Sequence, residues 1–193
     1  MKHLKTISVF MLMAALSIGQ TWAAVTALAL PKSWDASDGK SAYTEALGCT
    51  LTSISSDYSS APKLKFNAAG STLLIQLADA PDAISFNFKQ NGTTAGTFKV
   101  QESSDGSTYT DALTVAWPGN GKTSTPSTSL KSATRYIKLV YVTKGSSTNA
   151  GVGGISITKA SSGTPEPTVF LTPFFGAFWV ILDYRIQNHR IYT

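Results

Sequence analysis

The chain has 193 residues but only one cysteine, Cys49, and two histidines, His3 and His189. A single thiol cannot form an internal disulfide or a cysteine-rich zinc site. Because no histidine lies between these two positions, the stretch between them is excluded from Ser-His-Asp catalysis, Cys-His catalysis and histidine-based metal binding. We expect Cys49, between Gly48 and Thr50, to be a small buried packing residue instead of a reactive thiol.

Charge is also scarce, since charged residues make up 14% of the chain and the formal net charge is +5. Lys2 and Lys5 contribute to that small excess, which is not the footprint of a nucleic-acid-binding protein. The sequence contains no G-x-S-x-G, H-E-x-x-H or phosphate-loop motif. The glycine-rich run AGVGG, residues 150–154, is predicted to be a loop before the last strand. No motif therefore indicates an enzyme.

Apolar runs of the roughly 20 residues that span a bilayer are missing as well. Near the start, Lys2 and Lys5 precede an apolar run over residues 7–18, and small residues follow it. This order predicts a secretory signal peptide over residues 1–24, with cleavage between Ala23 and Ala27. We therefore expect a secreted protein, located in the periplasm or at the cell surface, with no membrane span.

Residues 25–160 are rich in short runs that alternate apolar and polar side chains. A period of two places all apolar residues of a run on one face of a strand. Short, evenly spaced strands separated by turn signals predict an all-β protein, an antiparallel β-sandwich of jelly-roll type. The inward-facing residues are predicted to be Leu64 and Phe66; Leu73, Ile75 and Leu77; Ile84, Phe86 and Phe88; Phe98 and Val100; Leu113, Val115 and Trp117; Ile137, Leu139 and Tyr141; and Ile155 and Ile157.

A polar hairpin is predicted around Ser104–Ser107, where Asp105 and Gly106 form the turn signal. Glycine adopts a positive φ without strain, and aspartate tolerates it. We expect this hairpin to set the register of two core strands.

The last thirty residues differ in composition from the predicted sandwich. Residues 161–168, SSGTPEPT, are predicted to be a proline-containing linker. Residues 169–193 form an atypical apolar tail with no clear period, interpreted either as the start of a further domain or as out-of-frame sequence. We expect the sandwich to end near Lys159 and the tail to lie outside its core.

Carboxylates offer two weaker functional interpretations. Glu102 and Asp111 could lie on adjacent strands as a glycosidase pair, although such residues are more often a solvated face. A structural calcium ion near Asp35, Asp38 and Asp57 is a second alternative, and no other cofactor is expected.

Aromatic side chains near predicted loops are candidates for stacking on sugar rings. Trp, Tyr and similar rings combine an apolar face with a polar edge, which suits carbohydrate. The candidates are Trp34, Tyr43, Tyr58 and Tyr109. Each of them could instead be a residue at the rim of the core.

Three segments carry a resemblance to a known family: Ser33–Phe66; Phe98–Thr110, FKVQESSDGSTYT; and Leu130–Thr158, which begins LKSATRYIKL. Together they resemble a β-sandwich module of secreted Bacteroidetes proteins and, more distantly, the discoidin-like and galactose-binding-like jelly rolls. The resemblance covers roughly residues 30–159. It implies a non-catalytic binding or accessory module, often specific for carbohydrate, that uses loops at one end of the sandwich.

This chain departs from the discoidin-like pattern because Cys49 has no partner for the disulfide that commonly closes such domains. No ligand-binding residue follows from the resemblance. The expected partner is a carbohydrate or another cell-surface polymer, and the alternative is a structural spacer or adhesion module without a small ligand.

Overall fold

The computed structural model describes residues 25–161. The predicted signal peptide, most of the predicted linker and the apolar tail lie outside the described residues.

The described part of the chain consists of β-strands, two short 3₁₀ helices and the loops that join them. The 3₁₀ helices are Lys40–Ala42 and Glu45–Leu47. The strands are β1 (Lys32–Ser33), β2 (Cys49–Thr52), β3 (Leu64–Phe66), β4 (Thr72–Gln76), β5 (Pro81–Asn91), β6 (Thr97–Ser103), β7 (Thr110–Thr114), β8 (Thr123–Ser124), β9 (Ser127–Ser129), β10 (Tyr136–Thr143) and β11 (Asn149–Lys159).

The strands form two antiparallel sheets, which confirms the predicted all-β sandwich. The six-stranded sheet has the order β1-β11-β5-β8, with β3 also paired to β11 and β9 to β5; the five-stranded sheet has the order β2-β4-β10-β6-β7. From β1 to β6, successive strands alternate between the two sheets. This order is expected of a jelly roll, in which the chain passes repeatedly from one sheet to the other.

The core lies between the sheets and is built by the predicted period of two. Buried positions alternate with partly exposed ones along β4, β5, β6 and β10. Phe98 lies at the centre of an aromatic cluster, with its ring centroid 5.1 Å from that of Phe66, 5.0 Å from that of Phe88 and 6.2 Å from that of Tyr141. Cys49 is a free cysteine with 1% of its surface exposed, so its predicted packing role is confirmed.

The strand boundaries differ from the prediction in two places. The AGVGG run lies inside β11, so the prediction of a loop there is wrong. The pairing of β11 with β5 shifts by one residue between Gly153 and Ser156, and Gly154 has a φ of +59°. This β-bulge turns Ile155 and Ile157 inward although Val152 also faces the core. The second difference concerns the predicted run through Leu113, Val115 and Trp117. Strand β7 ends at Thr114, so Trp117 packs on the core from a loop and not from a strand.

The predicted polar hairpin connects β6 to β7 through residues 104–109. Gly106 has a φ of +76°, and a Cβ atom there would lie 3.0 Å from the ring of Tyr136. Oδ1 of Asp105 accepts hydrogen bonds from the backbone N–H groups of Ser107 and Thr108, at 2.8 and 2.9 Å. The turn therefore needs glycine for two reasons, backbone conformation and close packing.

Within residues 25–161, no helix is long and apolar enough to cross a membrane.

Candidate functional site

A cleft of about 220 Å³, lined mostly by residues with polar side chains, opens at one end of the sandwich. One wall is the hairpin between β6 and β7, and the other is the connection before β10, residues 131–134. Loops held at the end of a rigid scaffold are the usual place for binding residues. The cleft is lined by Glu102, Ser103, Ser104, Asp105, Thr108, Thr110, Lys131, Ala133 and Thr134.

Glu102 is the buried carboxylate of this cleft, with 6% of its surface exposed. Its Oε2 atom accepts hydrogen bonds from the backbone N–H of Lys131 at 3.0 Å and from the hydroxyl of Thr134 at 2.7 Å. Burial alone would raise the pKa of Glu102, but these hydrogen bonds and the nearby Lys131 ammonium outweigh burial and lower it. Glu102 is therefore a fixed negative charge that holds the two walls together.

Lys131 spans the cleft from the opposite wall. Its Nζ atom lies 3.2 Å from Oε1 of Glu102 and 3.5 Å from Oγ1 of Thr110, while 70% of the side chain is exposed. Because most of the Lys131 side chain is exposed, its ammonium can leave Glu102 for solvent or a ligand, while Glu102 keeps its hydrogen bonds from Lys131 N and Thr134 Oγ1. The ammonium of Lys131 is thus the adaptable group at the mouth of the cleft.

Asp105 provides a second fixed carboxylate. Besides the two backbone N–H groups of the turn, its Oδ1 accepts a hydrogen bond from the hydroxyl of Ser103 at 2.9 Å. Hydrogen bonds from Thr108, Ser107 and Ser103 lower the pKa of Asp105. Within residues 25–161, its Oδ2 atom has no hydrogen-bond partner. Asp105 is therefore ionised at neutral pH and keeps one acceptor atom for a ligand.

Two of the predicted sugar-stacking residues lie in the core. Trp34 is 6% exposed and Tyr43 is 3% exposed, and their rings stack with centroids 5.2 Å apart. The indole N–H of Trp34 donates to the carbonyl of Ala42 at 3.1 Å. Because these ring faces are covered, the structure argues against a stacking role for Trp34 and Tyr43.

The other two predicted aromatics are half-buried, and neither belongs to the lining of the cleft, although Tyr109 lies between the lining residues Thr108 and Thr110. Tyr58 packs near Gly151 on the six-stranded sheet, and Nζ of Lys65 lies 5.4 Å from its ring centroid. Nζ of Lys138 lies 3.7 Å from the ring centroid of Tyr109, so an ammonium already covers one face of that ring. The four predicted aromatics therefore do not form one site.

The predicted glycosidase pair is separated by the sheet itself. Glu102 pairs with Thr110 and faces the cleft, whereas Asp111 pairs with Gln101, the next residue along β6. Asp111 accepts hydrogen bonds there from Lys99 and, at 2.8 Å, from Gln101. Adjacent residues of a strand point to opposite faces, so Glu102 and Asp111 cannot flank one glycosidic bond. The interpretation of this pair as catalytic carboxylates is wrong.

Two of the three aspartates considered for calcium, Asp38 and Asp57, accept hydrogen bonds from backbone N–H groups with their carboxylates. Oδ2 of Asp38 accepts from the N–H of Asp35 at 2.8 Å, and both carboxylate oxygens of Asp57 accept from the N–H of Lys40, at 3.1 and 3.0 Å. Residues 25–161 contain no group of three or more His, Cys, Asp or Glu side chains that could hold a metal ion. The three aspartates do not form a ligand set there.

Sequence reasoning did not identify Lys131, Thr134, Ser104 or Thr108 as site residues. Glu102 and Thr134 are 32 residues apart, and only the pairing of β6 with β10 brings them together. The one local signal was the hairpin motif, which placed Asp105 at the wall of the cleft without revealing the cleft.

No protein-family model matches the chain, and no curated protein matches it. Among solved structures, it is similar to the K2 cleaved adhesin domain of Lys-gingipain, with 11% identity, a TM-score of 0.49, and coverage of 67% of this chain and 98% of that one. It is also similar to the module CBM32-1 from a family 31 glycoside hydrolase of Clostridium perfringens, with 18% identity, a TM-score of 0.41, and coverage of 57% and 94%. A mutant of a family 29 carbohydrate-binding module has 14% identity, a TM-score of 0.38, and coverage of 62% and 83%. Because the identities are low and the TM-scores lie below 0.5, these similarities carry no functional conclusion. The functional interpretation therefore depends on the residues of this chain.

Proposed function

We propose that this protein is a non-catalytic binding module that holds a carbohydrate in the cleft between the β6–β7 hairpin and residues 131–134. The observation that carries the proposal is the lining of the cleft, which combines hydroxyl groups with two anchored carboxylates and one ammonium. Sugar hydroxyls are both donors and acceptors, and charged partners form the stronger hydrogen bonds. Because the carboxylates are already held in place, a ligand would pay little to order them.

The lining also supports the non-catalytic part of the proposal. Oε2 of Glu102 is occupied by Lys131 and Thr134, and Asp105 is held by the turn. Their pKa values are both lowered, whereas a catalytic acid needs a carboxyl that is protonated near neutral pH. Two carboxylates that are ionised at neutral pH suit ligand binding better than proton transfer.

The test is binding of the purified protein to a panel of soluble plant and host oligosaccharides, followed by titration calorimetry on any that bind. Thr110→Val removes one cleft hydroxyl at nearly constant volume, and we expect it to weaken binding about five- to tenfold. Thr114→Val is the matched control, because Thr114 is an exposed threonine of the same strand outside the cleft. It should leave the affinity unchanged.

Two results would contradict the proposal that the cleft binds a carbohydrate. If Tyr109→Ala abolishes binding and Thr110→Val does not, the ligand lies on the Lys138 face of the sheet and the cleft proposal is wrong. If no oligosaccharide binds to the folded protein, the alternative of a structural spacer or adhesion module replaces the proposal.

The proposed module is exported by its N-terminal segment, residues 1–24. This part of the proposal is supported by the order of basic, apolar and small residues in the sequence. Mass spectrometry of the mature protein tests it, because export predicts a new N-terminus between Ala23 and Ala27.

A further inference from the structure

We infer that the cleft selects carbohydrates that carry no acidic group, so that neutral and amino sugars bind while uronic acids are rejected. This inference rests on the proposed function and names the class of sugar that the same cleft accepts. It makes Asp105 and Lys131 the residues that determine specificity.

The lining of the cleft carries more negative than positive charge. Glu102 and Asp105 contribute two carboxylates, and Lys131 is the one cation among the nine described residues that line the cleft. The Lys131 ammonium already lies 3.2 Å from Oε1 of Glu102, so it offsets that carboxylate. The charge of Asp105 remains without an opposite charge in the cleft.

Neither carboxylate can move freely away from an acidic ligand. Glu102 is held by Lys131 N and Thr134 Oγ1, and Asp105 by the backbone N–H groups of the turn and by Ser103 Oγ. Exposed side chains normally rotate to relieve repulsion, but these two would have to break several hydrogen bonds. The carboxylate of a uronic acid would therefore lie close to negative charges that cannot move away. This repulsion weakens the binding of acidic sugars relative to neutral ones.

The cleft also contains hydrogen-bonding groups that suit an uncharged sugar. Oδ2 of Asp105 is a free acceptor within the described residues, and the hydroxyls of Ser104, Thr108 and Thr110 belong to the lining of the same cleft. A hydroxyl or an amine of the ligand can donate to this oxygen. An amine would in addition bring a positive charge that balances the charge of Asp105.

The experiment compares sugars that differ in charge but not in backbone, using calorimetry on the wild-type protein at low salt. Galacturonate oligomers are compared with their methyl esters, and N-acetylglucosamine oligomers with their deacetylated forms. For each backbone that binds, we expect the acidic form to be at least about tenfold weaker than its ester, and the amino form to be at least as tight as the N-acetyl form. Raising the salt concentration should shrink both differences.

Asp105→Asn removes the uncompensated charge while its amide oxygen can still accept the hydrogen bonds of the turn. It should reduce the difference between acid and ester at least about threefold. Lys131→Met removes the cation, which lies on the other wall, and should enlarge the same difference. The second variant keeps the test valid if Asp105→Asn fails to fold.

The outcomes separate this inference from the proposed function. If sugars bind in the cleft but acid and ester bind equally, or if Lys131→Met favours the acid, the charge selection is wrong and the binding function stands. If none of the four oligomer classes binds, and no oligosaccharide of the panel does, the proposed function fails and the inference fails with it.

Discussion

Thr134 donates its hydroxyl hydrogen to Oε2 of Glu102 over 2.7 Å, although the two residues are 32 positions apart and lie on different walls of the cleft. Thr134 is 2% exposed and Glu102 is 6% exposed. The same carboxylate oxygen accepts the N–H of Lys131. One side chain thus ties the connection before β10 to the end of β6, and the shape of the cleft depends on it.

Truncating this carboxylate should destabilise the fold. We expect Glu102→Ala to lower the free energy of unfolding by about 1–3 kcal/mol, because it leaves the buried Thr134 hydroxyl and the Lys131 N–H without their partner. Asp111→Ala is the matched control, since it removes an exposed carboxylate whose ion pair with Lys99 contributes about 0–1 kcal/mol. Urea unfolding at pH 7 measures both, and equal losses would contradict the anchoring role of Glu102.

Glu102 should also contribute to the acid sensitivity of the protein. Its folded pKa is lowered, so its stabilisation is fully present above the unfolded pKa of about 4.3 and is lost as the pH falls through the folded pKa. We expect the wild type to lose stability from about pH 5 downward. Glu102→Gln, which cannot ionise, should be less stable at pH 7 but should lose less over this interval. Parallel stability curves for the two proteins would show that Glu102 does not titrate in this way.

The β6–β7 turn offers a test of two separate requirements for glycine. Gly106 and Gly121 have φ values of +76° and +71°, but a Cβ atom would contact the Tyr136 ring at Gly106 and nothing within 4 Å at Gly121. We expect Gly121→Ala to cost about 1 kcal/mol from backbone strain alone, and Gly106→Ala to cost about 1–2 kcal/mol more because the Tyr136 ring must shift. Thermal and urea unfolding of both variants measure the difference. Equal losses of stability in the two variants would mean that the Tyr136 ring can move without a free-energy cost.

Seven strands of the sandwich could be predicted from sequence because their signal is local, whereas β1, β2, β8 and β9 contain no predicted alternating run. Alternation over a few residues fixes which side chains point inward, and Ile84, Phe86 and Phe88 are fully buried as predicted. The glycines of β11 carry no such signal, since glycine has no side chain to alternate. Their reason for being in a strand is non-local: a Cβ atom at Gly153 would lie 2.9 Å from the carbonyl oxygen of Ala36.

The cleft could not be predicted for the same physical reason. Alternation identifies β6 and β10 as strands but does not say that Tyr136 pairs with Ser103, the register that brings residues 131–134 to the hairpin. Trp34 and Tyr43 are candidates for stacking on sugar rings in the sequence because they lie near predicted loops. The segment that contains them packs back on the sandwich, and burial of loop aromatics is set by such tertiary contacts.

The aromatic cluster should carry a large share of the stability. Phe98 is fully buried and its ring lies within 6.5 Å, centroid to centroid, of those of Phe66, Phe86, Phe88 and Tyr141. We expect Phe98→Ala to cost about 3–5 kcal/mol through lost burial and the cavity that remains. Val142→Ala on β10 is the control, because Val142 is 39% exposed, and it should cost less than about 1 kcal/mol. If both variants lose a similar amount of unfolding free energy, Phe98 does not lie at the centre of the stabilising core.

The only thiol of the chain reports on opening of the β2 edge. Burial raises the pKa of Cys49 to about 12, and its sulfur lies 3.4 Å from the carbonyl oxygen of Leu47. Since the thiolate is the reactive form, we expect the folded protein at pH 8 to react with an aromatic disulfide reagent at least about a hundredfold more slowly than the same protein in urea. The unfolded sample serves as the internal control, because it must yield one thiol per chain. Rapid, complete reaction of the folded protein would mean that β2 separates from β4 far more often than its buried packing implies.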